Sequence, residues 1–334
     1  MKDYAIKVHK LTRKFNGLTA VDSISFTVPN GELFGLLGPN GAGKTTTINM
    51  LSTLLSTTSG QAELAGFDVS KHRDEVRQNI GVVFQEPALD TKLTGKENLE
   101  FHAMMYGMGK KERKERVQEV LRLVDLTEKA GVLVENYSGG MKRRLEIARG
   151  LVHRPKVLFL DEPTLGLDIQ TRRYIWDYVK RLNQENEVTI VLTTHYMEEA
   201  DFLCERIAIM DYGKFVAMDS PDKLKNILGG DVVSLELEGD VQDVMSRMKE
   251  LSWIHTVTLH GEVLSLTMES GERKIPQLIN MAQQNGAQVS CVHLRKPSLD
   301  DVFLHYTGRS IRDQEATQIE KNRQSLRGRM GRRR

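Results

Sequence analysis

Long apolar runs and cysteines are both scarce in this chain. No stretch approaches the roughly 18 consecutive apolar residues of a membrane-spanning helix, so the sequence predicts no span of its own. The start, Met1-Lys2-Asp3-Tyr4-Ala5-Ile6-Lys7, lacks the apolar core of a secretory signal. Two cysteines occur among 334 residues, Cys204 and Cys291, too far apart for a metal or redox spacing. Together these absences predict a reducing cytoplasm. Acid is missing from residues 321–334, where seven side chains are Lys or Arg. Residues 1–320 carry 40 basic and 45 acidic side chains, a balance of −5, so the overall +2 comes from the tail. A protein that wraps DNA or RNA carries its positive charge on the folded body. No nucleic-acid partner is therefore expected. What is plentiful is ordinary globular material: 40% hydrophobic and 28% charged residues, enough for one large domain or two.

One short stretch organises the rest. Gly38-Pro39-Asn40-Gly41-Ala42-Gly43-Lys44-Thr45 has the form GxxxxGK(S/T), a loop that cradles nucleotide phosphates. Its glycines let the backbone curl tightly and turn successive N–H groups toward an anion. Lys44 supplies a point charge for the β- and γ-phosphates, and the Thr45 hydroxyl suits magnesium. Leu33–Leu37 reads as a buried strand before the loop. Residues 45–55 read as a helix after it, whose amino end adds positive potential.

Residues 4–10 alternate as a strand, and a second strand spans about 20–28, closed by the turn Pro29-Asn30-Gly31. Phe15, between them, is placed either to stack on a nucleobase or to pack in a turn. Residues 59–66 read as a strand and turn, and Ile80–Phe84 as a buried strand ending at Gln85. From about 93 to 126 the periodicity turns helical, with a charged amphipathic helix over 110–124.

Ser138 is a candidate cap for a helix starting near Gly140 or Met141, and Gly139 and Gly140 permit close backbone approach. The strand around Val157–Leu160 ends in two adjacent carboxylates, where open α/β sheets place ligands. Asp161 suits a magnesium shell. Glu162, pointing differently, suits a water attacking the γ-phosphorus. Residues 188–194 form the next core strand, ending at His195, which is placed to donate to a γ-phosphate. Asp168 lies in the polar loop Leu165-Gly166-Leu167-Asp168 between them.

In this order, the phosphate loop, Gln85, Ser138-Gly139-Gly140, Asp161-Glu162, Asp168 and His195 together resemble the ATP-binding subunit of ABC transporters, over about residues 3–225. The resemblance implies an α/β P-loop ATPase domain over 3–230, with a helical subdomain at about 90–150. It implies ATP and Mg2+ as cofactors, a head-to-tail homodimer and a separate polytopic membrane permease. The chain would then lie on the cytoplasmic face of the cell membrane. Gly41, Gly43, Lys44, Thr45 and Thr46 would bind phosphates, and Phe15 would take the adenine-stacking place. Thr45, Asp161 and Gln85 would hold magnesium, Gln85 joining it to the membrane partner. Ser138, Gly139 and Gly140 would close on ATP held by the other subunit. Glu162 would be the catalytic carboxylate, Asp168 the communicating loop and His195 the γ-phosphate sensor.

Tyr137 and Met141 depart from the commonest LSGGQ form of that family, standing for Leu and Gln. The YSGGM form followed by basic residues is similar to the daunorubicin-resistance branch, and so are Pro297–Leu304 and Thr307-Gly308-Arg309. That branch implies export of a hydrophobic drug-like compound. Export of a lipid or saccharide, or a non-transport role, is the alternative. On the residues alone, a small-molecule kinase or GTPase also uses such a phosphate loop.

Beyond about residue 230 the pattern restarts as strand 232–237, helix 241–251, hairpin 254–268 across His260-Gly261-Glu262, helix 272–285 and strand 288–294. This βαββαβ order is that of a ferredoxin-like α+β domain over 231–308. Ser298 to Asp301 has capping-box spacing, with Asp where Glu or Gln is usual. No catalytic constellation is visible there, so regulation or dimer support is expected. The basic tail, 309–334, reads as disordered, with its arginines available to anionic lipid headgroups.

Overall fold

The computed structural model describes residues 4–308, apart from 187, 240 and 262, and divides the chain into compact units at Met218/Asp219. The basic tail, with its expected disorder and lipid contact, and Glu262 of the hairpin turn lie outside the described residues.

The first unit opens with β1 (Tyr4–Phe15) and β2 (Leu18–Pro29), an antiparallel pair joined at Asn16-Gly17. Both turn residues have positive φ, 42° and 89°, the left-handed pair a two-residue hairpin requires. The strands therefore run past the expected 4–10 and 20–28, and Phe15 sits at the hairpin end opposite Leu18. β3 (Leu33–Leu37) is buried throughout and leads through the phosphate loop into α1 (Lys44–Leu51). α1 stops four residues before the expected end because Thr53 turns to a left-handed φ of 65°. β4 (Ser59–Leu64) and β5 (Phe67–Asp68) complete a small sheet in the order β2-β1-β4-β5.

After α2 (Arg73–Gln78), β6 (Ile80–Val83) leads into helices α3 (Gly95–Met105), α4 (Lys110–Leu123) and α5 (Gly139–Leu151). Thr94 and Glu97 form a capping box at the start of α3. Buried Arg116 of α4 donates to the Val152 and Leu151 carbonyls that close α5. Next come β7 (Val157–Asp161), α6 (Ile169–Asn186), β8 (Thr189–Thr194), α7 (Met197–Leu203), β9 (Arg206–Asp211) and β10 (Lys214–Asp219). The large sheet has the order β10-β9-β3-β8-β7-β6. Its pairs from β9 through β6 are parallel. Strands β3, β7 and β8 are buried along their whole length, as their unbroken apolar runs dictate.

The second unit holds α8 (Pro221–Asn226), β11 (Asp231–Gly239), α9 (Val241–Lys249), β12 (Ile254–His260), β13 (Val263–Met268), α10 (Gly271–Gln284), β14 (Ala287–Arg295) and α11 (Leu299–Thr307). Its sheet is antiparallel in the order β12-β13-β11-β14. From β11 to β14 the elements follow the βαββαβ order read from the sequence. The division falls about one helix before residue 230, because α8 packs on α11 of the same unit. Leu235, Leu237, Val244, Met248, Leu264 and Leu278 form the apolar core. Among the described residues no helix is long and apolar enough to cross a membrane.

Candidate functional site

Parallel pairing aligns the carboxyl ends of β3, β8 and β7: Leu37 stands opposite Thr194, and Asp161 opposite Thr193. The phosphate loop, His195 and Glu162 therefore leave the sheet side by side, the position open α/β sheets use for ligands. Local sterics shape the loop. A Cβ on Gly38 would stand 2.2 Å from the Met210 carbonyl oxygen, and one on Gly43, at φ 109°, 2.5 Å from that of Ala20. Gly41 also has positive φ, and Asn40 and Gly41 are exposed at the tip, with Ala42 buried beneath. The Ala42 N–H closes a turn on the Pro39 carbonyl.

Lys44 is buried, and its Nζ donates to the carbonyls of Gly38 (2.7 Å) and Pro39 (3.1 Å). Nζ also lies 3.6 Å from Glu162 Oε1, and His195 Nδ1 lies 3.2 Å from that same oxygen. Burial opposes ionisation of Glu162, but the close approach of His195 Nδ1 and the Lys44 charge outweigh it and hold the carboxyl below the ordinary glutamate value. It is an anion at neutral pH. Glu162 also has φ 47°, a left-handed backbone that costs a non-glycine residue roughly 1–2 kcal/mol.

Asp161, on the last residue of β7, accepts from Thr45 Oγ1 (3.1 Å) and from Thr193 Oγ1. The Thr193 hydroxyl in turn accepts from the Glu162 N–H at 3.0 Å, so one buried threonine ties both carboxylate residues together. Thr46 follows on α1, half-buried. Gln85 is exposed just past β6, whose Val83 pairs with Leu160 of β7. Phe15 is 38% exposed, with the Arg13 guanidinium 4.4 Å from its ring centre.

Ser138 caps α5 by accepting from the Met141 N–H, and the helix begins at Gly139, one or two residues earlier than expected. Among the described residues, no hydrogen bond or ion pair joins Ser138, Gly139 or Gly140 to the phosphate loop. Gly140 sits against Thr171, whose methyl a Cβ would approach to 2.6 Å. Thr171 donates through its N–H and hydroxyl to Asp168, at 2.9 and 2.6 Å, so Asp168 caps α6. The departure at Tyr137 has a packing cause. Its ring is buried, its hydroxyl donates to the Lys129 carbonyl at 2.7 Å, and Gly95 leaves the space it fills.

Sequence reasoning missed three buried groups: Thr193, Arg143 and Glu199. Arg143 reaches across to β6 and β7. Glu199 of α7, fully buried, accepts from Thr164 Oγ1 and Trp176 Nε1, both at 2.8 Å. Burial pushes its carboxyl up, against hydrogen bonds from Thr194, Thr164 and Trp176. The paired threonines before His195 were the available signal for Thr193. Arg143 was hidden inside a basic run.

Residues 21–165 match the ABC transporter family, and residues 220–307 match the C-terminal domain of ATP-binding protein DrrA1-3-like proteins. The chain is 40% identical to the linearmycin resistance ATP-binding protein LnrL of Bacillus subtilis (strain 168), over 92% of this chain and 100% of that protein. It is 38% identical to the daunorubicin resistance ATP-binding protein DrrA2 of Streptomyces coeruleorubidus, over 95% of this chain and 99% of that protein. Among solved structures, the dimeric post-hydrolysis state of the ATP-binding cassette MJ0796, bound to ADP and Pi, superposes with a TM-score of 0.58 and 30% identity. That match covers 64% of this chain and 98% of that one. A kinase or GTPase reading of the phosphate loop does not account for likeness running through both units. The chain belongs to the ABC transporter family, as one of its ATP-binding, ATP-hydrolysing subunits.

Proposed function

We propose that this chain hydrolyses Mg-ATP as a head-to-tail homodimer on the cytoplasmic face of the membrane, and so powers export of a hydrophobic drug-like compound through a separate polytopic permease. The observation that carries the chemistry is the convergence of Lys44, Glu162 and His195 within 3.6 Å beside Asp161. The relatives named for linearmycin and daunorubicin resistance support the drug-like substrate.

In this reading the amides of Gly41, Gly43, Lys44, Thr45 and Thr46, with the Lys44 side chain, bind the phosphates, and Phe15 stacks on the base. Glu162, held ionised, orients the attacking water and accepts its proton; His195 steadies the γ-phosphate. Thr45 and Asp161 present a hydroxyl and a carboxylate 3.1 Å apart, hard oxygen donors that suit magnesium, with Gln85 the third contributor. Bound there, the ion would neutralise charge on the β- and γ-oxygens. Ser138, Gly139 and Gly140 act on ATP held by a second copy of the chain. The dimeric cassette among the neighbours supports that arrangement. Asp168, hydrogen-bonded to the Thr171 on which Gly140 packs, carries contact between the two sites. The second unit serves regulation or support of the dimer, and the basic tail touches anionic lipid.

Glu162→Gln removes the base and leaves the phosphate loop intact. It should bind ATP, lose turnover by about 100-fold or more, and accumulate as a dimer on size exclusion with ATP. A variant that stayed monomeric while still turning over would overturn the assignment.

A further inference from the structure

Arg143 lies one turn into α5 and is only 7% exposed. All five N–H directions of its guanidinium are used. Nε donates to the Pro163 carbonyl at 2.7 Å. Nη2 donates to the carbonyls of Asp161 (3.0 Å) and Glu162 (3.2 Å). Nη1 donates to the Phe84 carbonyl at 2.7 Å and to Glu146 Oε2 at 2.9 Å. Glu146, itself buried, turns its other oxygen to the Ala88 N–H at 2.9 Å. One side chain thus grips three consecutive carbonyls at the carboxyl end of β7 and, with its acid partner, both sides of the exposed bend that carries Gln85.

Those carbonyls belong to the segment in which Glu162 holds a left-handed backbone. From the opposite side, the Glu162 N–H is fixed by Thr193. A turn of that kind persists only where its surroundings hold it. A side chain that merely fastened α5 to the sheet could use any free carbonyl at the strand ends. This one takes the carbonyls of Asp161, Glu162 and Pro163 together.

We propose that Arg143, neutralised by Glu146, is a positioning residue that holds the 161–163 backbone so that the Glu162 carboxylate stays aimed between Lys44 and His195. The role rests on the reading of Glu162 as the catalytic carboxylate. Arg143 acts through Glu162 and not on the nucleotide. Its loss should lower kcat far more than it weakens ATP binding, because among the described residues no hydrogen bond or ion pair joins Arg143 to the phosphate loop or Lys44.

The test is steady-state ATP hydrolysis by the full chain. The variants are Arg143→Lys and the double variant Arg143→Gln/Glu146→Gln, which removes both charges and so leaves no lone buried carboxylate. The double variant is expected to lose kcat about 10-fold or more with KM for ATP within about threefold of wild type. Arg143→Lys, with a single ammonium against five acceptors, should recover part of that loss. A double variant with wild-type kcat would overturn the proposal. So would kcat and KM shifting together in proportion to the folded fraction seen by thermal melting. Should the double variant not fold, Arg143→Lys alone is read by the same criteria. Glu162→Gln is run in parallel. Full turnover there rejects the Glu162 assignment, whereas an inactive Glu162→Gln beside fully active Arg143 variants rejects only the role given to Arg143.

Discussion

In the first unit a cluster of buried polar groups stands where parallel strands end: Lys44, Asp161, Glu162, Thr193 and Thr194, with Arg143, Glu146 and Glu199 behind them; others, such as Glu32, Asn98 and Arg116, are buried elsewhere in that unit. In the second unit, among the described residues, the buried polar side chains are Asp231 and Thr267. Asp231, at the start of β11, is answered by Lys296 at 2.6 Å and the Gly271 N–H at 2.9 Å. The first unit therefore carries charges whose desolvation must be offset by partners placed to within a few tenths of an ångström. The second, apart from the Asp231–Lys296 pair, is held by side chains that need only fill space. A charge-rich interior does chemistry and makes stability pH-dependent; an apolar one does neither.

That contrast is tested most severely in the second unit. Leu235→Ala empties a fully buried position on β11 and should cost about 2–5 kcal/mol, read as faster amide exchange along β11 and β14. The cost should be the same from about pH 5 to pH 8, since the buried residues of that core are Val, Leu, Met and Ala. A strong pH dependence would erase the distinction between the units.

Glu199 offers the converse test. Its carboxyl is raised by burial, and hydrogen bonds from Thr194, Thr164 and Trp176 and the nearby Arg172 charge offset only part of that. A folded value above the unfolded one gives stability that is present at acid pH and lost as pH rises through the folded value. Relative to Glu199→Gln, the wild type should therefore melt progressively earlier as the pH is raised. A flat difference between the two melting curves would show that the carboxyl stays neutral, or is fully paired, across the range.

The smallest effect is expected at Ser298. Its Oγ accepts from the Asp301 N–H, and Asp301 Oδ2 accepts from the Ser298 N–H at 2.8 Å. Ser298→Ala should cost about 1 kcal/mol, confined to the first turn of α11 in amide exchange. Loss of protection throughout the second unit would mean that α11 is a larger part of that core than its length implies.

How much of this was legible beforehand follows from where each constraint resides. The phosphate loop could be read because its glycines and Lys44 act within eight residues of one another. The Ser298 box could be read although Asp replaces the longer acid, because its spacing survives. The Asn16-Gly17 turn is legible too, since Asn-Gly between strands is the strongest short hairpin signal. Arg143 was not legible. Apart from Glu146, its partners lie up to 59 residues away and are main-chain carbonyls, which leave no mark on residue type. A basic run predicts a solvated face until the fold shows which member of it points inward. Glu199 was concealed in the same way, by acidic neighbours in Glu198-Glu199.

The contact beneath Gly38 fixes the height at which the phosphate loop rides above the sheet. What would block a Cβ there is the Met210 carbonyl, part of β9 and so of the sheet itself. No rotamer change can clear main chain. Alanine at this position would have to lift the loop bodily or push β9 aside, and either movement carries the lysine amine away from the carboxylate it faces. The seat of the anion and the spacing of two strands are thus a single dimension of the molecule.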